Sequence, residues 1–220
     1  MKITYLGHSC FEIITNNNKI IIDPFLVLSP NYDYSEVKNI FVTHGHGDHL
    51  GNAIEISKTT KSPITTIFEL ANYCEEKGAY SQGINLGGWI NFTWGRVSAV
   101  PAFHSSSTPD GKYAGCACGF IFDIEGKIIY HSGDTCLNQE MKTIKELYKP
   151  DISILPIGGH YTMDIQQAGI AAQWLDSSKI IPMHYNTFDA IQTDISQFEK
   201  QIKRLNKTPI ILEVGKSIEY

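Results

Sequence analysis

The stretch Thr43-His44-Gly45-His46-Gly47-Asp48-His49 places three imidazoles and one carboxylate within six residues. Imidazole and carboxylate ligands together suit zinc, iron or manganese. The glycines between them let the backbone turn sharply, so that neighbouring side chains can face one point. An affinity tag would lie at a terminus, and a solvated loop would need neither the glycines nor the aspartate. The stretch therefore predicts a metal site.

The 220-residue chain as a whole has the composition of an ordinary globular protein, with 42% hydrophobic residues and a net charge of −5. This acidic balance argues against nucleic acid or an anionic membrane as a partner. There is no apolar run of the ~18–20 residues that would cross a bilayer and no signal-peptide pattern at the N-terminus. The five cysteines are an odd number in a chain too long to need stapling. We expect a cytoplasmic protein with reduced thiols.

Short β-branched or aromatic runs alternate with helical stripes along the chain, which predicts an α/β protein. The segments Phe11–Asp23 and Phe120–Asp134 resemble each other, since each has a strand, a polar turn, a Lys-Ile-Ile strand and a terminal aspartate. This repeat predicts two similar halves within a single domain covering residues 1–220. Helical stripes begin at Ile67, Met141, Ile165 and Ile195, and strands are predicted at 3–6, 11–15, 19–22, 40–43, 97–100, 119–123, 127–130, 152–155 and 179–181.

Three further polar residues follow strand-like runs as His44 does. His104 comes after the run at 97–100, Asp134 after that at 127–130, and His184 after that at 179–181. Functional side chains in α/β sheets gather on the loops at the carboxyl ends of the strands. Taken singly, each residue is more often an ordinary surface residue, but their shared placement makes all three candidate metal ligands.

These motifs, with Leu6-Gly7-His8-Ser9-Cys10 and the segment 156–163, resemble the metallo-β-lactamase superfamily over nearly the whole chain. Within it, the sequence is similar to a bacterial and archaeal group of metal-dependent hydrolases. That group is related to ascorbate-6-phosphate lactonase and, more distantly, to N-acylphosphatidylethanolamine phospholipase D. The resemblance implies an αββα sandwich of two similar halves that holds two divalent metal ions, most often zinc, with manganese, iron and nickel as alternatives.

The resemblance also implies roles for individual residues. One metal would be bound by His44, His46 and His104, the other by Asp48, His49 and His184, and both by Asp134. Asp23, at the end of its strand, resembles an outer carboxylate that orients the ligand loop, although an ordinary strand-end aspartate is the competing interpretation.

The activity implied is hydrolysis of an ester, lactone or phosphodiester of a small molecule by a hydroxide that bridges the two metals. Asp48 would orient this hydroxide, and His8 and His160 are further catalytic candidates for stabilising the oxyanion or protonating the leaving group. A structural hydrogen-bonding role is an equal alternative for these two histidines. His131 is set aside, because we expect its side chain to alternate away from the site.

Three other functions stay open at this point. A thioesterase resembling glyoxalase II would share the metal ligands but normally adds a C-terminal helical domain. A phosphodiesterase or nuclease would be expected to carry a basic clamp, whereas this chain has only two arginines, Arg96 and Arg204. A metal-binding protein without turnover is a third alternative. Oligomerisation is left open.

Overall fold

The computed structural model describes residues Met1–Tyr220 and divides into two compact units. Unit 1 consists of Met1–Gly88, Ser105–Ala117 and Leu212–Tyr220, and unit 2 of Trp89–His104 and Cys118–Ile211. Each unit has its own seven-stranded mixed sheet and its own helices. The predicted α/β class is therefore confirmed.

The sheet of unit 1 contains every strand predicted for the first fifty residues. The hairpin turn is made by Asn16 and Asn17, whose φ angles of 44° and 61° are those of a left-handed turn. In spatial order the sheet contains β14 (Ser217–Glu219), β1 (Lys2–Gly7), β2 (Cys10–Thr15), β3 (Asn18–Ile22), β4 (Val37–Phe41), β5 (Ile64–Ile67) and β6 (Ser81–Ile84). The strands β1, β3, β4 and β5 run in the same direction, so the loops after them leave from one edge of the sheet.

Three helices accompany this sheet: α1 (Gly47–Leu50), α2 (Ala53–Thr60) and α3 (Phe68–Glu76). Only α3 was predicted, because α1 is a single turn and α2 buries too few apolar residues for a clear stripe. The apolar faces of α2 and α3 pack with the sheet into one core, which includes Ile40, Ile56, Ile64, Leu70 and Cys74.

The sheet of unit 2 places five parallel strand ends at one edge. In spatial order the sheet contains β13 (Thr208–Pro209), β12 (Lys179–Met183), β11 (Ile152–Pro156), β10 (Lys127–His131), β9 (Cys118–Ile124), β8 (Gly95–Pro101) and β7 (Trp89–Phe92). The strands β8, β10, β11, β12 and β13 run in the same direction, because β8 and β10 flank the antiparallel β9 and the others pair in parallel.

The helices of unit 2 are α4 (Glu140–Tyr148), α5 (Ile165–Leu175) and α6 (Ile195–Arg204). The Asp164 side chain accepts a hydrogen bond from the Gln167 N–H at 2.8 Å, which caps α5 as predicted. On α4 the stripe is partly wrong, because Leu147 is 67% exposed while Ile144 is buried. The helix ends at Tyr148, one residue later, and it is Tyr148 rather than Leu147 that packs against the core in the last turn.

The two sheets repeat one topology. In unit 1 the pairings from β14 to β6 are three antiparallel followed by three parallel. In unit 2 the pairings from β7 to β13 follow the same order. The matching hairpins are β2–β3 and β9–β10, which come from the two segments that resemble each other in sequence. The prediction of two similar halves is therefore confirmed.

No helix of either unit has the length and the apolar character that a membrane span requires.

Candidate metal centre

The histidine-rich stretch of unit 1 is anchored by a fully buried carboxylate. Asp23 follows β3 and lies at the same sheet edge as Thr43, which follows β4. The two Asp23 oxygens accept hydrogen bonds from the Thr43 N–H and hydroxyl, both at 2.8 Å, and from His49 Nδ1 at 2.7 Å. A carboxylate that accepts three hydrogen bonds fixes the start and the end of the ligand stretch together.

Thr43 also fixes the proton position on His44. Its hydroxyl has one hydrogen, which is donated to Asp23 because a carboxylate can only accept. The hydroxyl oxygen lies 3.1 Å from His44 Nδ1, so this nitrogen must carry the proton and donate it. Nδ1 of His49 likewise donates to Asp23. In the neutral form of both histidines Nε2 is then the nitrogen with a lone pair, and this is the form that binds a metal.

His44 and His46 bring two ring nitrogens close together. Nε2 of His44 and Nδ1 of His46 are 2.9 Å apart. The residue between them must be glycine, because a Cβ at Gly45 would lie 2.6 Å from the Ala114 Cβ. Two imidazole nitrogens at this distance share either a proton or a cation, which fits a metal-binding pair.

A second group in unit 1 consists of His8, Asp48 and His49. Their nitrogen and oxygen ligand atoms all lie within 4.8 Å of one another. Nε2 of His8 is 3.1 Å from Asp48 Oδ2, and the His8 side chain is fully buried while that of Asp48 is 28% exposed. His8 is therefore held against a predicted ligand. Burial and the charges of Asp23 and Glu12 raise the pKa of the nearby Cys10 thiol.

In unit 2 the three predicted ligands meet at the edge where the parallel strands end. Asp134 Oδ2 lies 3.1 Å from His184 Nε2 and 3.6 Å from His104 Nε2. The side chains of Asp134 and His184 are each 3% exposed and that of His104 is 14% exposed. One carboxylate between two imidazoles is a donor set that suits a divalent transition metal.

Thr135 joins the loops that carry these ligands. Its hydroxyl accepts the Phe103 N–H at 3.0 Å, and its carbonyl accepts the Met163 N–H at 3.2 Å. Phe103 precedes His104, so the hydroxyl of Thr135 helps to position a predicted ligand that is carried by another loop. The sequence showed Thr135 only as part of Ser132-Gly133-Asp134-Thr135, and no local pattern marks this role.

His160 lies at the exposed tip of the turn after β11. The turn is closed by a hydrogen bond from the Gly159 N–H to the Met163 carbonyl at 2.9 Å. The ring contact of His160 is with its neighbour Tyr161, with centroids 4.3 Å apart. Within unit 2, His160 is thus placed on the loop edge but is not part of the Asp134 cluster.

Four of the candidate residues share an unusual backbone conformation. Their φ angles lie in the left-handed region that non-glycine residues rarely adopt: His8 at 54°, Asp23 at 44°, His160 at 53° and His184 at 54°. Each directly follows or lies near the end of a parallel strand. Eight other non-glycine residues of the chain have a φ in this region, so the conformation alone does not mark a functional site.

Comparison with known proteins agrees with this fold and this donor chemistry. The family model described as "Beta-lactamase superfamily domain" matches residues 2–184. The structure of Igni18, a metallo hydrolase from the archaeon Ignicoccus hospitalis, superposes with a TM-score of 0.89 at 35% identity, covering 100% of this chain and 98% of that one. The metallo-β-lactamase fold protein YhfI from Bacillus subtilis has a TM-score of 0.78 at 12% identity and shares the fold, covering 99% of each chain. The fold and the site thus define a metal-dependent hydrolase with the metallo-β-lactamase fold.

Two further proteins are more similar to this chain in sequence, and the similarity extends over the full length of each. A UPF0173 metal-dependent hydrolase from Bacillus cereus strain B4264 is 40% identical over 227 residues, which cover 99% of both chains. A UPF0173 metal-dependent hydrolase from Anoxybacillus flavithermus is also 40% identical and covers 100% of both. The chain belongs to the UPF0173 family of metal-dependent hydrolases.

Proposed function

We propose that the chain hydrolyses an ester, lactone or phosphodiester of a small molecule and that it does so with two divalent cations, most often zinc. The ligands would be His44, His46 and His104 for one cation, Asp48, His49 and His184 for the other, and Asp134 for both. The observation that carries the proposal is the tautomer set by Thr43 and Asp23, which leaves Nε2 of His44 and His49 with a lone pair.

Bound cations would supply a nucleophile at neutral pH by lowering the pKa of water towards ~7, and would polarise the oxygen of the scissile group. Asp48 would orient the attacking water through its carboxylate. His8, which contacts Asp48 Oδ2, would hold that carboxylate in place. His160, on the exposed turn, is our candidate for giving a ring proton to the leaving group.

The proposal is tested by counting metals in the purified protein and by assaying p-nitrophenyl ester, phosphodiester, thioester and lactone substrates with and without chelator. We expect two equivalents of divalent metal and turnover that chelator removes and added metal restores. Preference for the phosphodiester or thioester would favour those rival activities. The absence of chelator-sensitive turnover on every substrate would contradict the proposed hydrolysis and favour a binding protein.

Thr43→Val should weaken metal binding about 10–100-fold, the usual loss when an outer partner of a metal-binding histidine is removed. Valine has the shape of threonine but no hydroxyl, so His44 Nδ1–H loses its acceptor and Asp23 loses a donor. Affinity is measured by competition with a chromophoric chelator. Thr43→Ser is the matched control and should stay within about threefold of the wild type. Equal affinities for the valine and serine variants would contradict the role given to the hydroxyl.

A further inference from the structure

His131 is the one histidine to which no function has been given. It is the last residue of β10 and is fully buried. Side chains alternate along a strand, and its neighbour Tyr130 packs into the core of unit 2 beside the helices. His131 therefore lies on the opposite face of the sheet from that core, and its contacts must be explained in another way.

The ring of His131 folds back onto the loop that carries Asp134. Its Nδ1 accepts a hydrogen bond from the Gly133 N–H at 3.2 Å. The Ser132 hydroxyl donates to the Gly133 carbonyl at 2.8 Å. Both polar groups of the residue before Asp134 are thus bound by the two side chains that precede it. Gly133 has a φ of 59°, the left-handed conformation that such a turn requires.

This arrangement is a histidine version of a turn that aspartate and asparagine often form. In those turns the side-chain oxygen of one residue accepts the N–H of the residue two positions on. Because the acceptor here is Nδ1, that nitrogen must carry a lone pair. The turn then fixes the backbone from which the Asp134 carboxylate reaches between His104 and His184.

We infer that His131 is a positioning residue for Asp134: its Nδ1 holds the Gly133 peptide so that the Asp134 carboxylate is preorganised to bind metal. The inference rests on the proposed function in one respect, namely that Asp134 is a metal ligand. The ordering of the Gly133 turn itself does not depend on bound metal.

Three variants separate hydrogen bonding from packing. Asparagine places an acceptor oxygen near the position of Nδ1, whereas glutamine and leucine fill more of the ring's volume but place no acceptor there. If His131 positions Asp134, the metal affinity of His131→Asn should be within about threefold of that of the wild type. His131→Leu and His131→Gln should then bind metal about 10–100-fold more weakly. A role in packing predicts the reverse order, because asparagine leaves the largest cavity.

The experiment has two measurements on the full chain. Chelator competition with Zn²⁺ and the visible spectrum of the Co²⁺-loaded protein give affinity and ligand geometry. Hydrogen–deuterium exchange of the peptide that contains Gly133, in metal-free protein, gives the order of the turn. We expect faster exchange for the leucine and glutamine variants and near wild-type exchange for the asparagine variant.

The inference is wrong if the asparagine variant has both the weakest metal binding and the fastest exchange of the three, or if the leucine variant matches the wild type. If the wild type binds no metal but the leucine and glutamine variants still exchange faster than the asparagine variant, the proposed function fails and the role of His131 in the turn stands.

Discussion

Asp134→Ala should leave the protein with at most one tightly bound metal ion, where we expect two in the wild type. Its carboxylate is the acidic group between His104 and His184, and alanine leaves two imidazoles with no anionic ligand. Hydrolytic activity should fall by more than the ~10–100-fold that removal of an outer partner causes, because a ligand itself is lost. Metal content after dialysis, measured by mass spectrometry, gives the first result, and a chelator-controlled assay gives the second.

The matched control for this change is Asp176→Asn. Asp176 is an exposed carboxylate of the same unit that pairs with Lys145 and Lys207, and asparagine tolerates its left-handed φ of 56°. It should retain both metals and wild-type activity. Retention of two tightly bound metals by Asp134→Ala would exclude the shared-ligand role of Asp134.

Asp23→Ala should lower the free energy of unfolding of the metal-free protein by about 3–6 kcal/mol, because three buried donors lose their acceptor at about 1–3 kcal/mol each with partial relaxation. The donors are the N–H and hydroxyl of Thr43 and the Nδ1–H of His49. Alanine also adopts the φ of 44° at Asp23 less readily than aspartate does. Guanidinium denaturation of the chelated protein measures the change without a contribution from metal binding.

Two further variants define the origin of this loss. Asp23→Asn tolerates the backbone conformation but replaces one acceptor oxygen with an N–H₂ donor, so it should still be destabilised. Asp33→Ala removes an exposed carboxylate that accepts the Ser35 N–H, and we expect a change within about 0.5–1 kcal/mol. If Asp23→Ala were as stable as Asp33→Ala, the buried network could not be what anchors the ligand stretch.

The candidate ligands could be recognised in the sequence because they follow simple local rules. The stretch from His44 to His49 combines ligand chemistry with glycine spacing, and His104, Asp134 and His184 each follow a strand of parallel direction. The fold class followed from alternating strand and helix patterns and from the repeat between the two halves. Each of these signals is contained in a window of a few residues or in a comparison of two windows.

The positioning residues could not be predicted, because their roles depend on atoms brought together by the fold. The role of Thr43 follows from which hydrogen bond its hydroxyl donates and which it accepts. These bonds can be assigned only when the position of Asp23, twenty residues away in the chain, is known. Thr135 binds a backbone group thirty-two residues away. For His131, strand alternation predicts only the face of the sheet on which the side chain lies. It does not predict that the ring, at the last residue of the strand, turns back to accept the Gly133 N–H.

The discontinuous make-up of unit 1 has a consequence for how the protein is made. β1 lies between β2 and β14, and β14 is translated only after the whole of unit 2. At about 5–20 residues per second, β1 would wait about 10–40 s on the ribosome with one edge unpaired. Unpaired strand edges invite association with other chains. The outer edge of β1 is therefore open to pairing with other chains until β14 has been made.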